Sequence, residues 1–174
     1  MQPLFQNRTK LTEDLYTSAI KKYYSVGHRI SRVLAVSYSI ILLWCAYMLI
    51  MDMNLVVGIP FVLFAIGILF WQFRGYVVTS KRSFKQFAKL HKSHYQIDMD
   101  YRFYEESLEQ ETEKTELTVM YKDISKVYRF MDELVLVYKN TVIIMDNGAF
   151  VKGDVEAVVE LLRQNNIKII TKLI

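Results

Sequence analysis

Two stretches of the chain, Val33 to Met51 and Leu55 to Phe73, carry no charged residue, and they separate a polar lead from a longer polar tail. A bilayer core of about 30 Å is crossed by roughly 20 helical residues, and both stretches are close to that length. Backbone groups in hydrocarbon must be satisfied internally, so each stretch is expected to be helical despite its β-branched residues. Asp52-Met53-Asn54 between them is short and polar, which leaves room only for an antiparallel return. The pattern therefore predicts a two-helix membrane hairpin over 33–73. Ala35 and Ser39 form a small-xxx-small pair suited to close helix contact, and Pro60 falls in the first turns of the second helix, where proline is tolerated.

In the lead, residues 1–32, Thr12 is placed to cap a helix whose first turn holds Glu13 and Asp14, with Leu11, Leu15, Ala19 and Tyr23 on one face. The lead is read as an N-terminal helical segment. After the hairpin, residues 74–93 read as a basic amphipathic linker helix: Lys81, Arg82, Lys85, Lys89 and Lys92 share one side, and Phe84, Phe87, Ala88, Leu90 and His91 the other. From His94 the period drops to two. Tyr95, Ile97, Met99, Tyr101 and Phe103 alternate with polar residues, as in a half-buried strand. Glu105 to Lys114 reads as an acidic turn region, after which Leu117, Val119 and Tyr121 continue the sheet. A meander follows over 124–129, 133–138 and 141–146, closed by Asn147-Gly148. Asp154 is placed to cap a helix reaching about Gln164, and 167–174 reads as a last strand. Residues 94–174 are thus expected to form an α+β domain, an antiparallel sheet with a C-terminal helix.

Charge adds orientation. The turn between the apolar runs has no Lys or Arg, whereas Arg29 and Arg32 precede the first run, and Arg74, Lys81, Arg82, Lys85, Lys89 and Lys92 follow the second. By the positive-inside rule both tails are cytoplasmic. Phe70, Trp71, Phe73 and Tyr76 gather where an aromatic belt belongs. With the first apolar run starting at Val33 and no small-residue cleavage site after it, a cleaved signal peptide is not expected. The net charge of +4 is carried by residues flanking the apolar runs, which favours a membrane partner over nucleic acid. Those eight flanking cations, Arg29, Arg32, Arg74, Lys81, Arg82, Lys85, Lys89 and Lys92, are the candidate contacts to anionic lipid headgroups. For the basic helix two readings stand: a headgroup-binding face, or a topology signal whose apolar side covers the sheet.

The chemistry of catalysis is missing from the pattern. There is no nucleophile elbow, no Gly-rich phosphate loop and no Asp, Glu, Lys, Arg or His inside either run. The one cysteine, Cys45, lies in an apolar run, so no disulfide or CxxC site can form within the chain. His91, His94, Asp98 and Asp100 are close in sequence, but a helix-to-strand change among them spoils a shared metal face. No catalytic residue, metal or cofactor is expected.

The order of parts carries a resemblance. Two helices in a hairpin are followed by a basic segment and a strand pair, then by Tyr121-Lys122-Asp123-Ile124-Ser125-Lys126-Val127. The apolar meander Leu134–Tyr138 and Val142–Met145, a short Ala149-Phe150 element and a final helix complete the order. This resembles the YcxB-like family of bacterial membrane proteins, most clearly from about Tyr101 to Leu162. The specific part is the strand entry filled by Tyr121, Asp123, Ile124, Lys126 and Val127. The resemblance implies a pleckstrin-homology-like cytoplasmic domain, a bacterial inner-membrane setting and no catalytic residues to carry over; the strand-like 167–174 departs from the family pattern. The leading expectation is a non-enzymatic inner-membrane protein whose cytoplasmic domain binds a protein partner, membrane-embedded or cytoplasmic, or lipid headgroups. The alternative is a small immunity or envelope-stress protection protein acting through its hairpin.

Overall fold

The computed structural model describes residues 2–27, 29–52, 54–90, 96–139 and 141–172, with the side chains of Gly27 and Arg29 outside that description. The chain divides into two compact units: residues 24–80, and a second unit that combines 1–23 with 81–174.

The 24–80 unit is the hairpin. Helix α1 (Glu13–Gly27) runs into it, followed by α2 (Arg29–Met51) and α3 (Leu55–Leu90). Ile30–Met51 and Leu55–Leu90 are both long and apolar enough to cross a membrane, and only 17% and 11% of their most apolar windows are buried. The core helix of a soluble protein would bury most of such a window, whereas here most of each window is exposed. The turn is tight: the Asp52 amide donates to the Met48 carbonyl at 3.1 Å and the Asn54 amide to Leu49 at 2.9 Å. The line that is buried is built of small residues, Ser39 and Ala46 on α2 and Gly58 and Ala65 on α3, with Leu42 among them. At Gly58 a Cβ would collide with the Ile50 side chain and crowd the Ala46 carbonyl, so the close approach of the two helices requires glycine there. Ser39 satisfies its own hydroxyl by donating to the Ala35 carbonyl at 2.9 Å. The second helix does not stop at Phe73, and no separate basic helix follows it. α3 continues to Leu90, because no proline follows Arg74 and the stretch Lys81–Leu90 is rich in good helix formers.

The other unit is an α+β domain of two sheets. Strand β1 (Phe5–Thr12) precedes the hairpin; β2 (Gln96–Phe103), β3 (Ser107–Glu111), β4 (Glu116–Met120), β5 (Ile124–Arg129), β6 (Glu133–Tyr138), β7 (Thr141–Asp146), β8 (Phe150–Lys152), helix α4 (Val155–Gln164) and β9 (Ile169–Thr171) follow it. A five-stranded sheet has the order β4-β3-β2-β1-β8 and a four-stranded sheet the order β7-β6-β5-β9. All pairings are antiparallel except β5 with β9.

Three expectations are corrected here. The lead is not helical throughout: its first part is β1, paired with β2 over eight register positions from Phe5↔Phe103 to Thr12↔Gln96. The inward side of β1 holds Asn7 and Thr9 beside Leu11, so the strand lacks the apolar alternation by which strands are read. Residues 105–114 are not all turn, since β3 lies within them; Leu108 is buried, while Glu109 and Glu111 are held at the surface by Tyr104 and Arg102. One expected sheet is two, and the domain is completed from residues on both sides of the hairpin. His91, Lys92, His94 and Tyr95 lie outside the described residues.

The junction that brings the lead into the domain is polar and closely paired. Thr9 Oγ1 donates to Asn7 Oδ1 at 2.6 Å and accepts the Asp146 amide at 2.8 Å, while Asn7 Nδ2 donates to the Asp146 carbonyl at 2.7 Å. Thr12 Oγ1 accepts the Leu15 amide at 3.2 Å, capping α1 as the sequence suggests. On α1, Lys22 reaches Glu133 at 2.7 Å and Ser18 donates to the same carboxylate at 2.8 Å; the Glu133 side chain is only 3% exposed. Gly153 (φ +79°), between β8 and α4, faces the Phe5 ring so closely that a Cβ would strike it. Asp154 caps α4 by accepting the Ala157 amide at 2.8 Å, and Val158, Val159 and Leu162 are buried.

Breaking a buried ion pair from one side strands the other charge at about 3–5 kcal/mol, and the partial exposure of Lys22 lowers that to about 2–3. Lys22→Met should cost about that much in thermal unfolding followed by far-ultraviolet circular dichroism, and Lys22→Met with Glu133→Gln should recover much of it. A single-variant loss below about 0.5 kcal/mol would show that the pair is not a fastening.

Burial raises the phenol pKa of Tyr101 and Tyr121 well above the ordinary 10.0. Below pH 10 both states keep these protons and stability is level. Above it the unfolded chain releases protons that the native state retains, so stability falls as pH rises, by about 1.4 kcal/mol per pH unit for each tyrosine. Replacing both by Phe should flatten the unfolding midpoint between pH 10 and the raised values, even though Tyr101 loses its 3.0 Å bond to the Ile144 carbonyl.

Candidate membrane-facing site

The C-terminal stretch of α3 in the domain unit has two sides of different character. Phe84 and Ala88 are 1% and 4% exposed, and the Phe84 ring lies 5.8 Å from that of Tyr16 on α1, tilted by 46°. Phe87 is half-buried. Lys81, Lys85 and Lys89, spaced four apart, stand one above another on the exposed side with Arg82 beside them. Lys81 lies 3.3 Å from Glu13 in the first turn of α1, an exposed pair of small energetic weight that sets the lysine's direction. Arg82, Lys85 and Lys89 have no carboxylate partner among the described residues. At the end of the helix Lys114 donates to the Leu90 carbonyl at 3.0 Å, placing one more cation at the negative end of the helix dipole. Leu90, expected on the covered side, is instead 73% exposed at the same end.

Of the eight candidate cations, four are thus brought together on one exposed helical face of one folded unit. Arg74 is exposed and Arg32 half-buried in the hairpin unit. Lys92 and the Arg29 side chain lie outside the described residues.

The outer face of the five-stranded sheet offers a contrast. An open groove of about 470 Å³ lies over β1, β2 and β3, lined by Arg8, Lys10, Asp98, Asp100, Arg102 and Glu111 among others. Part of this charge is paired. Asp100 accepts both of its contacts to Gln6 Nε2, at 2.8 and 2.9 Å, and one from Arg102 at 3.0 Å; Arg102 also reaches Glu111 at 2.5 Å. These contacts hold the Arg102 guanidinium above its ordinary pKa, chiefly through the hydrogen bond to Asp100. Paired charges of this kind knit the strands. Among the described residues no group of three or more His, Cys, Asp or Glu side chains is placed to hold a metal ion.

Sequence reasoning did not find the buried fastening of Lys22, Ser18 and Glu133, or that of Asn7 and Thr9. A glutamate opening an otherwise apolar strand, Glu133-Leu-Val-Leu-Val, is the local signal for the first. No protein-family model, curated protein or solved structure matches the chain.

The two sides of the α3 stretch should separate experimentally. Phe84→Ala should lower stability by about 3–5 kcal/mol, as large-to-small changes at fully buried aromatic sites do. Lys81→Gln, Arg82→Gln, Lys85→Gln and Lys89→Gln together should change it by less than about 1 kcal/mol, since their side chains are solvated. Thermal unfolding of the two variants compares them, and equal losses would remove the distinction.

Proposed function

We propose that the protein is a non-enzymatic, two-span protein of the bacterial inner membrane whose cytoplasmic domain lies against anionic headgroups through Lys81, Arg82, Lys85 and Lys89. The observation that carries this reading is the exposed, largely unpaired basic face opposite a buried Phe84 and Ala88, on the same helix that supplies the second apolar span. Cations near an anionic leaflet contribute about 1 kcal/mol each, so four of them hold a domain weakly and in a salt-dependent way.

Orientation has a second support. β1 lies in one sheet with β2, although α2 and α3 separate them in sequence. Strands of one sheet occupy one aqueous compartment, so two spans between them return the chain to the side it left. Arg29, Arg32, Arg74 and the α3 cations, by the positive-inside rule, support a cytoplasmic reading of that side. The meander of antiparallel strands closed by α4 supports the pleckstrin-homology-like reading, and with the hairpin it supports kinship to the YcxB-like family.

Amine acylation of the full chain in lipid nanodiscs, read by mass spectrometry, tests the proposal. Lys81, Lys85 and Lys89 should be protected severalfold in anionic discs relative to neutral ones, with protection lost at high salt, while Lys152 is unchanged. Equal labelling in both lipids would reduce the basic face to a topology signal.

A further inference from the structure

Strand β9 is held more lightly than the other strands of its sheet. It has three residues, Ile169–Thr171, where strands commonly have five or six. It pairs in parallel with β5, the weaker geometry per residue, over Val127↔Ile169, Tyr128↔Ile170 and Arg129↔Thr171. Ile169 and Ile170 are half-buried and Thr171 is exposed. The other side of β5 is different: it meets β6 antiparallel over five register positions, and Leu134, Val135 and Leu136 there are fully buried.

The attachment also has a defined place to let go. Asn166, at φ +59°, ends α4, and Ile167 is 7% exposed with its amide bonded to the Leu162 carbonyl at 3.1 Å. The chain is therefore docked as far as Ile167. Beyond it, the bonds to β5 that flank the three paired residues run from the Val127 amide to the Lys168 carbonyl at 2.9 Å and from the Lys172 amide to the Arg129 carbonyl at 2.8 Å. With β9 lifted away, β5 presents a six-residue edge whose Ile124, Val127 and Tyr128 side chains already belong to the core. Such an edge accepts an extended peptide through main-chain bonds, with side-chain preference set by alternate positions.

We propose that β9 is a displaceable occupant of the β5 edge, and that a partner protein docks by strand addition in its place. The resident strand defines the chemistry of the visitor: an extended segment with two adjacent β-branched aliphatic residues followed by a small polar one, as in Ile169-Ile170-Thr171. This goes beyond headgroup binding, which uses a different face of the domain.

The test uses the full chain in neutral-lipid nanodiscs, where headgroup attraction is absent. In the unaltered protein, amide hydrogen exchange at Val127 and Lys172 should run at least about a hundredfold faster than at Leu134–Val137, as local opening of β9 requires. A fluorescent peptide with the sequence of residues 166–172 should bind an Ile169→Asp, Ile170→Asp variant at least about tenfold more tightly than it binds the unaltered chain. The same peptide carrying the two Asp residues should not bind. Exchange of Val127 and Lys172 in step with β6 would overturn the proposal, whether or not the variant folds. So would a folded variant that ignores the peptide. Dimerisation of the unaltered chain through exchanged β9 strands would also overturn it, by making a second copy the occupant.

Discussion

The pairing of β1 with β2 is the constraint on which the rest of this molecule depends. Eight consecutive register positions join residues that lie on opposite sides of two apolar helices. Without β1 the five-stranded sheet loses the strand between β2 and β8, and β8 loses its partner. The strand is tied on its inward side by Asn7 and Thr9 to the backbone of Asp146, and the helix that continues it is tied by Ser18 and Lys22 to Glu133. Each contact gives a buried polar side chain its partner, the condition under which such groups specify an arrangement rather than weaken it. The domain is thus closed by the lead, and residues after the hairpin do not make it alone.

The chemistry of the two faces follows from where charge is paired and where it is not. On the outer sheet, Arg102, Asp100, Glu111 and Gln6 consume one another's hydrogen bonds across the strands. On the last turns of α3, Lys81 alone of the four exposed cations has an acidic partner among the described residues, Glu13, while the opposite side of the helix is buried at Phe84 and Ala88. A buried backing with exposed cations in front suits a surface of diffuse negative charge better than a single ligand of fixed geometry.

Much of this was legible in the sequence wherever burial follows a simple period. The apolar runs, the alternation from Ile97 to Phe103, the meander from Ile124 to Asp146 and the Asp154 cap all appear as the pattern indicates. What escaped has a common cause. β1 turns Asn7 and Thr9 inward, and β3 buries Leu108 between polar neighbours, so neither strand shows the alternation that marks a strand. The split into two sheets was hidden because a meander reads the same whether it bends or not. The basic face was visible as a stripe, since helical spacing survives in sequence. Which of its residues are paired was not visible, because Glu13 is close to Lys81 only through the fold.

The position of β1 also sets a schedule for biogenesis. The strand is made first, yet its neighbours β2 and β8 follow only after both apolar helices. At about 5–20 residues per second, ribosomes take roughly 7 to 30 seconds to reach β8 from β1. Until β2 is made Phe5–Thr12 has no partner on either side, and until β8 is made one edge stays open, the condition that invites aggregation. Its composition answers the hazard: Gln6, Arg8 and Lys10 alternate with Asn7, Thr9 and Leu11, leaving no run of apolar β-formers. The same inward polarity that hides β1 from pattern reading keeps the nascent strand soluble until its sheet exists.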